Sequence, residues 1–300
     1  MNFEKNTLIC VVGPTAIGKT SLAIGLANAF STEIVSADSR QFYKEMSIGT
    51  AVPSEGELAS AKHHFIQNIS IFDDYSVGNF ERDALICLDT IFANNATAIL
   101  VGGSGLYIDA VVKGLDTFPE VPVNIRTQLN LELEETGING LQKELKEKDP
   151  LYFEKVDIQN PHRLVRALEI CRSSGKPYSS FLNRESDKRN FKTIFIGLTA
   201  EREIIYTRIN QRVDKMIEDG LLEEVKNLYD HKNRNALQTV GFRELFDYMD
   251  GKLSKEEAIS EIKKNTRRFA KRQTTWFKKN EAINWFDYQT DFEIIRDFIK

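Results

Sequence analysis

The chain has 300 residues, 41% of them hydrophobic with 19 Phe and 9 Tyr, enough for one large domain or a domain with an insertion, each with its own core. This excludes a disordered chain, a collagen and a coiled-coil rod, and a mean hydropathy of −0.35 without an apolar run of ~18 to 20 residues predicts no membrane partner. Forty Lys and Arg against 44 Asp and Glu give a net charge of −4 and an isoelectric point near 5.8, which argues against indiscriminate coating of nucleic acid.

The first residues, MNFEKNTLICVVG, carry one basic residue, a short apolar stretch and no small-residue cleavage site, so no secretory signal is expected and the cytoplasm is the expected location. Residues 7–12 then read as a buried strand, 19–30 as a helix and 33–37 as a second strand. A helix over about 79–94 leads to the apolar strand 96–101, which runs into Gly102-Gly103 and a helix through Val112. Such alternation predicts a parallel sheet with helices on its faces. From about 118 to 189 the strand pattern stops. Polar helical stretches such as 123–135 and 162–173, punctuated by Pro150, Pro161 and Gly175, predict a mostly helical insertion at 119–189 within a core of 1–118 and 190–300. Beyond it come a strand over 192–198, helices over 201–220, 222–231, 242–250 and 255–279, and a last short strand near 283–286. Cys10, Cys87 and Cys171 are odd in number and far apart, as expected of reduced core thiols.

Gly13, Pro14, Thr15, Ala16, Ile17, Gly18, Lys19 and Thr20 spell G-x-x-x-x-G-K-[ST] between a predicted strand and helix, the context that this pattern needs. Backbone N–H groups of such a loop wrap a diphosphate, Lys19 neutralises its outer oxygens, and the Thr20 hydroxyl can ligate Mg²⁺. The expected fold class is therefore α/β, a P-loop NTPase-like parallel sheet with helices on both faces, plus the helical insertion and a helical C-terminal region. The loop alone suggests ATP or GTP and a kinase or NTPase. P-loop hydrolases, however, place a second acidic metal ligand at the end of a neighbouring apolar strand. Here that strand runs into Gly102-Gly103-Ser104-Gly105. Asp38 instead follows the second strand, in VSADSRQFY, where it can be a metal ligand, a base or a helix N-cap. Residues 262–279 carry eight Lys or Arg and no acid, a local basic stripe that suggests a specific polyanionic partner.

Taken together, GPTAIGKT (13–20), DSRQFYKEMSIGTAVPS (38–54), HHF (63–65), VGGSGLYIDAVVKGL (101–115), NPHRLVRALEI (160–170), RINQRVDKMIEDGLLEEV (208–225), QTVGFRE (238–244) and TRRFAKRQTTWF (266–277) resemble the bacterial tRNA dimethylallyltransferase (tRNA isopentenyltransferase) family over nearly the whole chain. The resemblance implies transfer of a dimethylallyl group from dimethylallyl diphosphate to N6 of the adenosine 3′ of the anticodon in tRNA, with release of diphosphate and with Mg²⁺ as cofactor. The loop would then hold the prenyl donor. An exocyclic amine is a poor nucleophile, so a carboxylate that takes its proton lowers the barrier, a role that suits Asp38. Donors at the departing oxygen stabilise growing charge, and the resemblance places Thr15 there and Arg212 on the diphosphate, with Arg208 one turn earlier as a further candidate. Against the tRNA it places Asp38, Ser39, Arg40, Gln41, Ser104, Arg126, His162, Arg163, Leu164, Val165, Arg166, Gln238, Thr239, Val240, Gly241, Phe242, Arg243, Lys271 and Arg272. The Gln41 amide suits an adenine edge, and the target base must leave its stack to react.

Other readings stand beside these. Arg208 and Arg212, like Arg163 and Arg166, also read as solvated helix cations. Lys264, Arg268, Lys271 and Lys279 form a stripe at helical spacing, and Phe269, Trp276 and Phe277 beside them read as core. Adjacent His63 and His64 in a strand point to opposite faces and are read as structural. Ile17, Arg40, Val52 and Ser104 depart from the family's usual residues, which bears on substrate range. No Cys/His finger follows the basic helix, so tRNA binding is expected from the insertion and that helix. A monomer is expected, with an enzyme acting on free adenine nucleotides as the alternative.

Overall fold

The computed structural model describes residues 6–182 and 188–300. Two strands, β1 (Thr7–Val12) and β4 (Thr97–Val101), and the short β2 (Ile34–Ser36) bury every residue, the continuous apolar run of strands covered on both faces. With β3 (His63–His64), β5 (Lys192–Thr199) and β6 (Ile283–Asp287) they form one sheet in the order β3-β2-β4-β1-β5-β6, each neighbour parallel. Because the strands run the same way, the chain leaves β1, β2 and β4 at the same, carboxyl end of the sheet, where Gly13, Asp38 and Gly102 follow. This is where parallel sheets hold ligands.

Helices α1 (Lys19–Ala29), α2 (Glu55–Ser60), α3 (Val77–Phe92) and α4 (Gly105–Lys113) belong to the first part of the core. Both α2 and α3 start with a capping box, Ser54 with Glu57 and Ser76 with Asn79. Chain 114–188 is a separate compact unit, beginning a few residues before the expected 119. Phe118 accounts for the earlier start, since it stacks on Tyr178 at 5.0 Å within that unit. Helices α5 (Val123–Thr136), α6 (Ile138–Lys148), α7 (Pro150–Phe153) and α8 (Pro161–Ser174) enclose Leu129, Leu141, Leu145, Leu164 and Leu168.

After β5 the core continues with α9 (Arg202–Glu218), α10 (Leu221–Asn227), α11 (Phe242–Met249), α12 (Lys255–Phe277) and α13 (Phe292–Ile299). Val213, Leu221, Leu237, Phe242, Leu245 and Ile262 pack with Tyr43 and Met46 into one cluster, which ties these helices to the segment after β2. Cys10, Cys87 and Cys171 are free thiols, and burial pushes all three up. Among the described residues no helix is long and apolar enough to cross a membrane.

Gly13 sets the exit of β1. Its φ of 142° lies in the region that L side chains avoid, and a Cβ there would stand 2.6 Å from the Leu198 carbonyl oxygen. Gly13→Ala should therefore lower stability by about 2 to 4 kcal/mol, strain and overpacking combined. A urea midpoint equal to that of the parent protein would refute this account of the turn.

Candidate active site

The loop 13–18 crosses from β1 to α1 with Ala16 at φ 64° and Gly18 at φ 110°. Ala16 and Ile17 are buried, so they serve through main chain. Side chains from distant parts of the chain hold this shape. Arg208 Nε donates to the Ala16 carbonyl at 2.7 Å and its guanidinium lies 5.2 Å from the Tyr288 ring centre. Arg212 Nη1 reaches the Thr15 hydroxyl at 3.4 Å, and Lys19 Nζ donates to the Pro14 carbonyl at 2.8 Å. Burial lowers the Lys19 pKa to about 8, opposed by Asp38 and reinforced by Arg212. Arg212 is likewise lowered, by burial first and by Arg208 second. Cations crowded at mutual cost make a site that an anion relieves.

The cavity beside this loop, about 800 Å³, lies at the carboxyl ends of β1, β2 and β4 and is lined by residues 15–20 together with Asp38, Ser39, Arg40, Gln41, Ser104, Arg208 and Arg212. Asp38 Oδ1 accepts the Arg40 amide at 3.1 Å, and the Gln41 amide closes a turn on the Asp38 carbonyl at 3.1 Å. The N-cap reading thus gives way to a tight turn that presents the carboxylate. Gln41 is engaged otherwise than expected of an adenine reader. Its amide nitrogen donates to the carbonyls of Thr50 and Ala51 at 3.2 and 2.8 Å, and its oxygen accepts from Ser36. Arg40 donates to the Asn235 and Ala236 carbonyls at 3.1 and 3.0 Å, fastening this turn to the segment before α11. Ser39 and Ser104 hydroxyls meet at 3.2 Å.

Gln238, Thr239, Val240, Gly241, Arg243 and Arg272 also line the cavity, with Arg243 exposed at the start of α11 and Arg272 exposed on α12. Phe242 does not, being fully buried in the core beneath. Lys271 is exposed outside the cavity lining. Of the three aromatics on α12 read as core, only Phe277 is buried. Phe269 and Trp276 are 39% and 41% exposed and line the cavity, because the buried face of α12 runs through Ile262, Ala270, Gln273 and Phe277 instead. On that face sits a residue the sequence reading missed. Gln273 accepts the Thr15 amide at 2.9 Å and donates to the Gly103 carbonyl at 3.0 Å, joining α12 to the loop. A polar side chain on an otherwise apolar helical stripe is the signal that could have found it. Glu224 was missed as well. Its carboxylate takes the amides of Ser47, Ile48 and Gly49 at 3.0, 2.7 and 2.9 Å, a long-range contact that no local pattern announces. Lys264 is paired with Glu261, while Arg268, Lys271 and Lys279 are exposed.

Within the separate unit 114–188, Leu164 and Val165, both expected against the tRNA, are buried in the core. His162 and Arg163 are exposed at the start of α8. Arg126 and Arg166 flank a buried carboxylate, Glu169, at 2.9 and 2.5 Å, and Arg166 also lies 4.9 Å from the Phe118 ring centre. Their charge is thus partly spent internally, which the i, i+3 spacing of Arg163 and Arg166 did not reveal. His64 pairs with Glu33 at 2.6 Å, whereas His63 turns its Nδ1 to the Ala61 carbonyl at 2.7 Å.

Residues 41–280 match the IPP transferase family. The chain is 60% identical over 98% of both chains to a protein of Christiangramia forsetii named tRNA dimethylallyltransferase, and 58% identical, over 97% of this chain and 96% of the other, to one of the same name from Flavobacterium johnsoniae. It also resembles the crystal structure of the full-length tRNA isopentenylpyrophosphate transferase from Bacillus halodurans, with a TM-score of 0.73, 36% identity and coverage of 98% and 96%. A eukaryotic dimethylallyltransferase described as acting on tRNA superposes with a TM-score of 0.81 at 27% identity, over 95% of this chain and 74% of that one. With the strand order, the cation-lined loop and the sequence likeness in agreement, the chain belongs to the IPP transferase family.

Proposed function

We propose that this chain is a tRNA dimethylallyltransferase, acting as a monomer in the cytoplasm. It transfers the dimethylallyl group of dimethylallyl diphosphate to N6 of the adenosine on the 3′ side of the anticodon. The observation that carries this reading is one cavity with Lys19, Arg208 and Arg212 gathered on the loop at one side and the Asp38 carboxylate in the same lining. The names of the relatives support tRNA as the acceptor. The strand end that holds a second acidic metal ligand in P-loop hydrolases carries Gly102, Gly103 and Ser104 here, which disfavours a kinase or NTPase.

In the reaction, the allylic C–O bond breaks and its electron pair leaves with the diphosphate, while the N6 lone pair forms the new C–N bond. The proton of N6 passes to Asp38, whose turn fixes one oxygen through the Arg40 amide and leaves the other to accept. Loop amides, Thr15, Lys19 and Arg212 stabilise the charge that grows on the leaving oxygen. Mg²⁺ takes few protein ligands where phosphates and water supply the rest, so the Thr20 hydroxyl, which lines the cavity at the start of α1, suits it. When bound, the ion neutralises the diphosphate. On the acceptor side, exposed Arg243, Lys271 and Arg272 in one unit and His162 and Arg163 in the other supply contacts to the RNA backbone.

Mass analysis of nucleosides from tRNA incubated with the protein and dimethylallyl diphosphate tests the reading directly, and unmodified adenosine would refute it. Asp38→Asn retains an acceptor for the turn but cannot take a proton, so kcat should fall by ~10² to 10⁴ while tRNA affinity is unchanged. Steady-state kinetics beside a filter-binding assay check both halves. Arg212→Ala should raise the KM for dimethylallyl diphosphate about 10- to 100-fold, the loss of one charged hydrogen bond; an unmoved KM would remove Arg212 from the donor site. Chelation should abolish turnover, and titration with Mg²⁺ should restore it.

A further inference from the structure

On α9 the cavity wall changes chemistry within one turn. Arg208 and Arg212 are directed at the loop through Ala16 and Thr15, and four residues after Arg212 the wall becomes Met216, with Val213 beside it. Four residues advance a helix by about 6 Å, and long helical side chains lean toward the N-terminus. Met216 therefore covers the surface immediately beyond the cations. Behind it the packing is tight: Val213 and Leu221 belong to the core cluster of Phe242, against which Met216 is packed. Gly49 closes on the same cluster, since a Cβ there would stand 2.5 Å from the Phe242 ring and 2.9 Å from Leu221. Glu224, accepting hydrogen bonds from the Ser47, Ile48 and Gly49 amides, holds Gly49 in that place.

A cationic cradle that gives way to an apolar, firmly backed wall one turn later fits a diphosphate ester with a short hydrocarbon tail. Resting on the donor site assigned above, we infer that Met216, backed by Leu221 and Gly49, receives the end of the allyl tail and sets the length of prenyl chain that the enzyme transfers. Shortening this side chain opens room past the five-carbon tail, and a bulkier ring fills the space that the tail needs.

The test is a competition in which the enzyme receives tRNA with equal concentrations of dimethylallyl and geranyl diphosphate, and nucleoside mass analysis reads the ratio of five- to ten-carbon products. Wild-type enzyme should give almost only the five-carbon product. Met216→Ala should raise the ten-carbon share about tenfold or more, a typical gain for room made in an apolar pocket. Met216→Phe should lower kcat/KM for dimethylallyl diphosphate by a similar factor with tRNA affinity unchanged, and Met216→Leu, close in volume, should keep the wild-type ratio. An unchanged product ratio in Met216→Ala, or an equal loss with both donors, overturns the inference, as does efficient geranyl transfer by the wild type. Failure of the wild type to transfer from either donor instead overturns the reading of the site. Thermal melting of each variant separates a folding defect from a change in selectivity, and Met216→Val supplies a milder truncation.

Discussion

The cavity is organised around Lys19, Arg208 and Arg212, three cations gathered on one loop. Two of these groups are pushed below their ordinary pKa by burial, and each feels a neighbouring cation. Like charges this close repel one another. They stay together because each is tied to the loop by a hydrogen bond to Pro14, Ala16 or Thr15. The strain of the loop and the repulsion of its cations are the same preorganisation seen from two sides. The diphosphate proposed for this cradle would meet donors already held in place.

The positioning of the cavity is the work of uncharged and singly charged braces that run between distant segments. Gln273 connects the last long helix to the loop and to the turn after β4. Gln41 and Glu224 grip opposite ends of the segment 47–51, one by its carbonyls and the other by its amides. Arg40 binds two carbonyls before α11 and so strengthens the same frame. Most of these braces satisfy main-chain groups, and leaving such groups unpaired away from water costs about 1 to 3 kcal/mol each. The walls are accordingly firm on both sides of Asp38.

The sheet was legible because β1 and β4 are buried apolar runs and β5 and β6 are rich in β-branched and aromatic residues, and the predicted boundaries fall within one or two residues of all four. The helices α2, α6, α7 and α13 were not predicted. Two of them, α2 and α7, span only 6 and 4 residues, too short for a period to be read. α13 has a clear apolar face but lies where the chain had already yielded its last strand, and only the packing of Ile295 and Ile299 in the core near α1 gives it a place. Phe269 and Trp276 misled because an aromatic residue at helical spacing belongs to the core unless the helix turns another face inward, which sequence spacing alone does not decide.

The phosphate loop, the parallel alternation and the residue types at the site were fixed by local chain chemistry: glycine where φ must be positive, and lysine and threonine at the head of a helix. Which side chains actually meet was decided by the fold. Glu169 drawing Arg126, Glu224 collecting amides from residues 47–49, and Gln273 seizing Thr15 all join positions far apart in the chain. Hydrogen bonds and ion pairs act over a few ångströms, and only three-dimensional packing brings such partners within that range.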